Sequence, residues 1–507
     1  MSARDHTAVL LGIDVGTSVV KTVAFAENGQ VVANAKRSNS FAAPRHRWAE
    51  CDMESVWTLV AECLRELTST LPDGGTNIAA IGVSGNMGGA WLIEADGTPV
   101  RPAILWNDGR AADILTQWRA RDLIEPIFRA SCNTLAPGFT VPVLAWLARH
   151  EPESLRRAEH LVFSKDWVRY RLTGELGTDE SDASHMPGSV SDRGYSEEIL
   201  ELTGLSELQR LLVPVRGSGE VAGRVHRAAA AATGLREGTP VITGLADVTA
   251  TLTGAGAIEP GCATVILGTS CLNSVTTSTP VFAPHNVGLS FLIPEGRWTR
   301  TLSNQTGTLA LTWFWREFMT PAAGPSTPDF AAMEALASSS PLGANGLVFH
   351  PYLNSTGVTA PVYEPTARAR FWGLGVDHTR ADVLRAVYEG VILSIADCFE
   401  YLPASNLSVQ LLGGGAHSSL WAQMLADALD RPVEVSSGEE FGARGVALLA
   451  GVSQGLWGSL PEAVADCRSS EEHVVMPEPG RHEQYAGILA LYQFLRRDLG
   501  AERAFGG

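Results

Sequence analysis

"LLGIDVGTSVVKTVAFAENGQVV", Leu10 to Val32, begins apolar, breaks on Asp14, Gly16, Thr17 and Ser18, and then turns apolar again. Leu10–Ile13 read as a strand entering a core and Val19–Phe25 as a second one. Val15-Gly16-Thr17-Ser18 is then the bend between them. A glycine there admits positive φ and lets a ligand approach the backbone. The amides of such a bend, with two hydroxyls, make a small nest for phosphate oxygens. Asp14, at the strand end, is placed to hold a divalent cation through water. Asn28-Gly29, between Phe25 and Val31-Val32, is a two-residue hairpin signal. The stretch therefore predicts three consecutive antiparallel strands, the first bend facing a ligand. Taken alone, the same residues also suit an ordinary polar hairpin bend.

The whole chain sets the bounds. Its 507 residues call for more than one domain, and 45% hydrophobic with 18% charged residues can bury sizeable cores. A net charge of −17 argues against nucleic acid or an anionic membrane as the main partner. It leaves room for anionic nucleotides held by local nests and metals. The seven cysteines show no CxxC pair and no metal-type spacing. That odd count, and a Met1–Thr7 leader too polar for a signal peptide, predict a reducing, cytoplasmic setting. No apolar run reaches membrane-spanning length.

Further along, Asp52 is placed to cap a helix from Met53 to about Thr70, with Val56, Leu59, Val60, Cys63, Leu64 and Leu67 on one face. Ile78–Val83 read as a strand that leads into "SGNMGGA", Ser84–Ala90. Trp91–Ile93 with Asp96-Gly97 suggest another hairpin, ending near "ILWNDGRA", Ile104–Ala111. Residues from about 112 to 201 look mostly helical. "PVITGLADVTATLTGAGA", from Pro240, gives a strand, a glycine bend, Asp247 and a small-residue helix. "ATVILGTSCLNSV", Ala263–Val275, then echoes the opening stretch, because an apolar strand again runs into Gly268-Thr269-Ser270. The echo suggests two similar domains, each offering a phosphate bend. Thr379 to Asp382 form a capping-box-like helix start. Val409–Leu412 read as a strand followed by Gly413-Gly414-Gly415 and a helix opening near Ser418, a place where backbone can lie against a base or a phosphate.

Taken in order, "GIDVGTSVVK", "WAECDM", "ILWNDGRA", "TGLADVTA", "LGTS" and "LLGGGAHSSLWAQMLADALDRPVEV" resemble the FGGY carbohydrate kinases over nearly the whole chain. Both family signatures can be traced. "GFTVPVLAWLARH", Gly138–His150, departs in carrying Val143 where a lysine is usual, whereas "ARFWGLGVDHTRADVLRAVYE", Ala369–Glu389, fits well. The resemblance implies an α/β chain of two actin-like, ribonuclease-H-like domains around a deep interdomain cleft, drawn at 1–248 and 249–507. It implies ATP-dependent phosphorylation of a small sugar or polyol, with Mg2+. It makes Asp247 the general base, because a sugar hydroxyl is a poor nucleophile that a carboxylate within hydrogen-bond reach can orient and deprotonate. A helix N-cap is the competing role for Asp247. Asp14 resembles the metal-associated aspartate, Gly16, Thr17 and Ser18 the first phosphate bend, and Gly268-Thr269 the second. Gly414, Gly415 and Ser418 resemble the part that holds adenosine, and Trp106 the tryptophan that packs on the substrate's carbon skeleton. A core aromatic is the alternative for Trp106. A homodimer is admitted, though no residue specifies one.

Asn86, Met87 and Gly88 fall in the family's sugar-discriminating loop. Glycerol kinases carry an Arg-Glu pair here and D-xylulose kinases Gln-Met-His-Gly; this chain has Asn86-Met87-Gly88-Gly89. The expectation is a roomier, less polar pocket, with Asn86 bonded to vicinal hydroxyls. A pentulose such as xylulose, in the manner of the L-xylulose branch, is the expected substrate, and erythritol or another polyol the alternative. An actin- or chaperone-like ATPase would share Asp14, Gly16 and Thr17 but has no use for Asp247 or a sugar loop.

Overall fold

The computed structural model describes residues 8–185, 188–319, 327–354, 357–403, 408–436, 438, 440–467 and 473–500. The leader Met1–Thr7 lies outside them. The chain forms two compact units. The first comprises Met1–Ile258, Ser290–Trp298 and Glu440–Ser469, and the second Glu259–Leu289, Thr299–Glu439 and Ser470–Gly507. A division at residue 248 departs from this, since it would cut helix Asp247–Gly254 after its second residue and assign residues 440–469 to the wrong unit.

In the first unit the opening stretch forms β1 (Val9–Val15), β2 (Val19–Ala26) and β3 (Val31–Ser38), consecutive and antiparallel, with Asp14 opposite Lys21. They join β4 (Ile78–Gly85), β5 (Val221–Arg224) and β6 (Pro240–Ile242) in the order β5-β6-β4-β1-β2-β3, and β7 (Leu245–Ala246) pairs with β4. Both β1 and β7 run parallel to β4, so Asp14 and Leu245 both align with Ser84. Three carboxyl ends of parallel strands therefore open at one edge of the sheet, where ligands of open α/β sheets bind. Gly16 does not use positive φ. It is glycine because a Cβ would lie 2.6 Å from the Val19 carbonyl oxygen, and the Gly16 amide donates to that oxygen.

The second unit repeats the plan. Its strands are β8 (Ala263–Leu267), β9 (Cys271–Thr277), β10 (Arg297–Asn304), β11 (Val409–Leu412), β12 (Val433–Val435) and β13 (His473–Val475). They follow the order β10-β9-β8-β11-β12-β13. β8 is antiparallel to β9 and parallel to β11, as β1 is to β2 and β4. The echo between the two Gly-Thr-Ser stretches is thus a repeat of strand order, the actin-like, ribonuclease-H-like arrangement.

Local signals explain the flanking helices. Asp52 caps Met53–Thr70 by accepting from Ser55 N, and Thr379 with Asp382 forms a complete capping box on Arg380–Phe399. The segment 112–201 is largely helical, as its composition suggests. The turn at Asp96-Gly97 forms, with one bridge from Ile93 to Pro99, but Trp91–Ile93 takes its continuous ladder from His160–Val162. Pro99 has no amide to extend a hairpin. Val143 is fully buried beside Leu144 and Leu147, which suits an apolar residue where the signature has lysine. Among the described residues, no helix is long and apolar enough to cross a membrane.

Helix Phe441–Ser453 carries no expectation from the sequence. It packs on β1, β4 and helix Asp247–Gly254 by backbone contact. A Cβ on Gly12 would sit 1.9 Å from the Ala443 oxygen, one on Gly82 2.2 Å from that of Val446, one on Gly254 2.0 Å from that of Phe441, and one on Gly445 2.0 Å from that of Ala250. Real side chains do not approach so closely, so Gly12→Ala must push the helix off the sheet. A cost of about 2 kcal/mol is expected for such overpacking. This should lower the thermal midpoint by about 4–8 °C. A midpoint within about 1 °C of the parent would contradict the contact.

Candidate functional site

The carboxyl ends of β1, β4 and β7 gather the first set of predicted residues. Asp14 ends the buried run of β1, and a Cβ on Gly442 would lie only 3.0 Å from its Oδ2. Lys21, opposite Asp14 in the ladder, reaches Glu440 at 3.1 Å. Burial pushes the Asp14 carboxyl up to about 6; Lys21 opposes this and Glu440 adds to it. Asp247 is the first residue of its helix and Ala246 is the cap, so the alternative role of Asp247 as N-cap is not what the backbone adopts. Its Oδ1 accepts from Val248 N at 2.8 Å, which leaves Oδ2 for another donor. Burial and then the charge of Asp14 push it up to about 7, with the Val248 amide working the other way. The two carboxylates therefore feel each other directly.

Beside them, the Gly16–Ser18 bend carries Trp106. The indole N–H donates to Thr17 Oγ1 at 3.1 Å, and the ring is 44% exposed, so it is not a core aromatic. Among the described residues, the amides of Thr17 and Ser18 donate to no backbone oxygen, whereas the Ser18 and Gly16 carbonyls accept from Asn39. In the Asn86–Gly89 loop, Asn86 donates to the Val15 carbonyl from both its backbone amide and its Nδ2, at 3.2 and 3.1 Å. Its Oδ1 and the Ser84 hydroxyl are buried and unpartnered. Asn86 thus keeps its Oδ1 and the second Nδ2 hydrogen for another partner. Met87 is largely buried, and Gly88 and Gly89 have φ of +79° and +71°. A Cβ on Gly89 would strike the Ile104 oxygen at 2.0 Å.

The second set assembles in the other unit. Gly268 closes its bend by donating to the Ser270 carbonyl, while the Gly268 and Thr269 carbonyls accept from Thr308 and Gly307. The glycine triplet divides its work. Gly413 has φ of +86°, a Cβ on Gly415 would overlap Leu267, and one on Gly414 would meet nothing within 4 Å. Gly414 therefore presents bare backbone to open space. Ser418 caps helix Ser419–Leu429 through Trp421 N and donates to Glu334 at 2.7 Å, so its hydroxyl is already engaged. Glu334 also takes Ser419 Oγ and Leu420 N.

Among the described residues, no group of three or more His, Cys, Asp or Glu side chains is set to enclose a metal. Two carboxyls whose pKa values are raised by burial, that of Asp247 also by the charge of Asp14, suit a cation held partly by other ligands. This is the usual manner of Mg2+, which takes one or two carboxylates together with substrate phosphates. Lys21, Glu440, Ser84 and Gly442 complete the surroundings and were not singled out from sequence. Lys21 was legible only as a polar residue facing Asp14 across a predicted hairpin, and Gly442 only as a small residue in "FGARGVALLAG".

Comparison with known proteins agrees with this geometry. The model of the FGGY family of carbohydrate kinases, N-terminal domain, matches residues 9–254, and that of the C-terminal domain matches residues 263–454. Erythritol kinase of Brucella abortus (strain 2308) is 30% identical over 98% of this chain and 97% of its own. Xylulose kinase of Escherichia coli (strain K12) is 33% identical over 94% of this chain and 96% of its own. The solved xylulose kinase from Lactobacillus acidophilus shares the fold at a TM-score of 0.90 with 23% identity, covering 98% of this chain and 99% of that one. Two domain models in order along one chain, and relatives aligned end to end, place this protein in the FGGY family of carbohydrate kinases, enzymes that phosphorylate with ATP.

Proposed function

We propose that this kinase phosphorylates an open-chain sugar or polyol of four or five carbons, with xylulose first and erythritol as the alternative, and that Asp247 is its general base. The observation that carries the reading is the placement of Asp247. Its carboxylate is held through Oδ1 by Val248 N, raised by burial, and gathered with Asn86 and Asp14 where the parallel strands end. Asp247 Oδ2 orients the acceptor hydroxyl and takes its proton as the new O–P bond forms. The exposed face of Trp106 supports the carbon chain, and Asn86 Oδ1 with Ser84 Oγ pairs with remote hydroxyls. No charged side chain lies in the Asn86–Gly89 loop, which suits a neutral polyol. The free amides of Thr17 and Ser18 and the bend at Gly268-Thr269 receive phosphate oxygens. The bare backbone at Gly414, with Gly415 seating it and Ser418 capping the next helix, receives the adenosine. Asp14 would hold Mg2+, directly or through water; bound there, the ion neutralises charge on the phosphates. The xylulose and erythritol kinases among the relatives support this substrate class.

Three measurements follow. Asp247→Asn keeps shape but cannot take the proton, so kcat should fall by about two to four decades while sugar KM changes little. Near-parent turnover would remove Asp247 from the role. The base must be ionised, so kcat/KM should fall as pH drops through about 7, where burial and Asp14 place Asp247. An acid limb near the ordinary carboxylate value of about 4 would show that the burial account is wrong. Finally, kcat/KM should be compared across D-xylulose, L-xylulose, D-ribulose, erythritol and glycerol, with ATP alone as control. Glycerol forfeits two remote hydroxyl contacts and should trail the best substrate by roughly one to two decades. A preference for glycerol would overturn the substrate reading, and equal ATP hydrolysis without any sugar would favour an ATPase.

A further inference from the structure

Behind the strand ends lies a buried ionic cluster that catalysis does not use directly. Lys165 Nζ sits 2.7 Å from Asp166, 3.0 Å from Asp179 and 2.9 Å from Asp182, and every one of these side chains is inaccessible to solvent. Arg169 adds a second cation 3.4 Å from Asp166. Burial works against the Asp179 carboxylate, but Lys165 and the hydrogen bonds of Ser181 outweigh it and hold it below its ordinary value. Asp182 goes the other way, pushed well up by burial against the pull of Lys165. Asp179 Oδ2 accepts from Ser181 N at 2.9 Å and from Ser218 Oγ at 2.8 Å, which fixes the single-turn helix Glu180–Ala183.

From that helix one contact leads to the site. Ser181 Oγ accepts the Ala246 amide at 2.9 Å, and the Ala246 carbonyl in turn accepts from Thr249 Oγ1 at 2.8 Å. The residue immediately before Asp247 is therefore pinned from both sides. A second contact leaves the same cluster for the sugar loop, because Ser164, next to Lys165, donates to the Asn86 carbonyl at 2.7 Å. A Cβ on Gly85 would lie 2.4 Å from Ser164 Oγ, so this contact has no slack.

On the reading that Asp247 is the base, we infer that Ser181 is a positioning residue: Asp179, held by Lys165, fixes Ser181 through its backbone amide, and the Ser181 hydroxyl accepts the Ala246 amide and so fixes where the Asp247 carboxylate stands relative to Asn86. The physical reason is the low dielectric. A chain of hydrogen bonds running from a buried ion pair is polarised along its length and stiffer than its links taken singly. A surface serine gives no such constraint. Small displacements of a reacting group cost much, of order a hundredfold for about 1 Å.

The test uses Ser181→Ala and the near-isosteric Ser181→Cys, whose sulfur is a poor acceptor. Each is made alone and with Asp247→Asn, and assayed with D-xylulose and with erythritol. Ser181→Ala should lower kcat about 5- to 50-fold with KM within about threefold, and Ser181→Cys should lie between it and the parent. If the alanine variant fails to fold, the cysteine variant carries the comparison. In the Asp247→Asn background either change should cost less than about twofold, since the effect passes through a base that is no longer there. Equal losses in both backgrounds, or a loss confined to KM, would make Ser181 merely structural and overturn the inference. A collapse of Asp247→Asn with both Ser181 variants at parent rate would overturn it too, and would leave the base in place. Parent-like turnover of Asp247→Asn would remove both.

Discussion

Everything at the first unit's strand ends depends on how closely helix Phe441–Ser453 lies against its neighbours. The approach is backbone to backbone. Gly12 and Gly82 let the helix carbonyls down onto β1 and β4, and Gly254 and Gly445 let it nest on helix Asp247–Gly254. A methyl group at any of these four places would overlap a carbonyl oxygen. The closeness has an electrical consequence. Gly442 stands over Asp14 where a larger residue would force space for water, and the helix begins just after Glu440, the partner of Lys21. A late stretch of chain thus sets the dielectric around two carboxylates that lie far apart in sequence.

Those carboxylates are costly to keep. Asp14 and Asp247 have folded-state values of about 6 and about 7, above the 3.8 of an unperturbed carboxyl. The sign follows from linkage: below about pH 4 both are protonated folded or unfolded and cost nothing. As pH rises through 4 to 7 the unfolded chain releases protons that the folded one still holds, and stability falls. Lys21 offsets only part of this, since Glu440 shares it. Carboxylates buried at such a cost and left without full compensation mark a place where a proton or a cation is handled.

The parts legible in sequence are those fixed by local contacts. The three antiparallel strands of Leu10–Val32, the Asp52 cap, the Thr379–Asp382 box and the Gly268 strand echo each carry their signal within a few residues and form as read, although the Asn28-Gly29 turn closes over three residues, Glu27–Gly29, with Ala26 N donating to the Gln30 carbonyl, and not over two. What escaped is set at long range. "FGARGVALLAG" has almost no polar face, so its periodicity says only that it is buried, and nothing in it says that it returns to the first unit. The compact units depart from the boundary drawn at 248 for the same reason. Gly16 was read for its φ when the operative fact is a carbonyl 2.6 Å from where its Cβ would be. Asp247 read as cap or base; the backbone makes Ala246 the cap, one residue earlier, and no local pattern distinguishes the two. Ser84 and Ser181 look like any buried serine until their partners, or the lack of them, are seen.

The sugar loop shows why residue type alone misleads about specificity. Reading Gly88 as a histidine removed suggests empty space. Gly88 and Gly89 instead take successive left-handed conformations that side chains rarely adopt, and at Gly89 the backbone itself fills the place, pressed on the Ile104 carbonyl two residues before Trp106. A histidine placed at 88 would thus meet an unfavourable φ as well as take up space. Polarity changes in the same way. One of the two Asn86 Nδ2 hydrogens is taken by the Val15 carbonyl, which leaves the other hydrogen, the buried Oδ1 and the buried Ser84 hydroxyl to find other partners. Buried polar atoms left unpaired penalise any ligand that cannot match them far more than an apolar wall penalises a poor fit. On the proposed reading, discrimination at this loop would rest on which hydroxyls meet Asn86 Oδ1 and Ser84 Oγ more than on how much room Gly88 leaves.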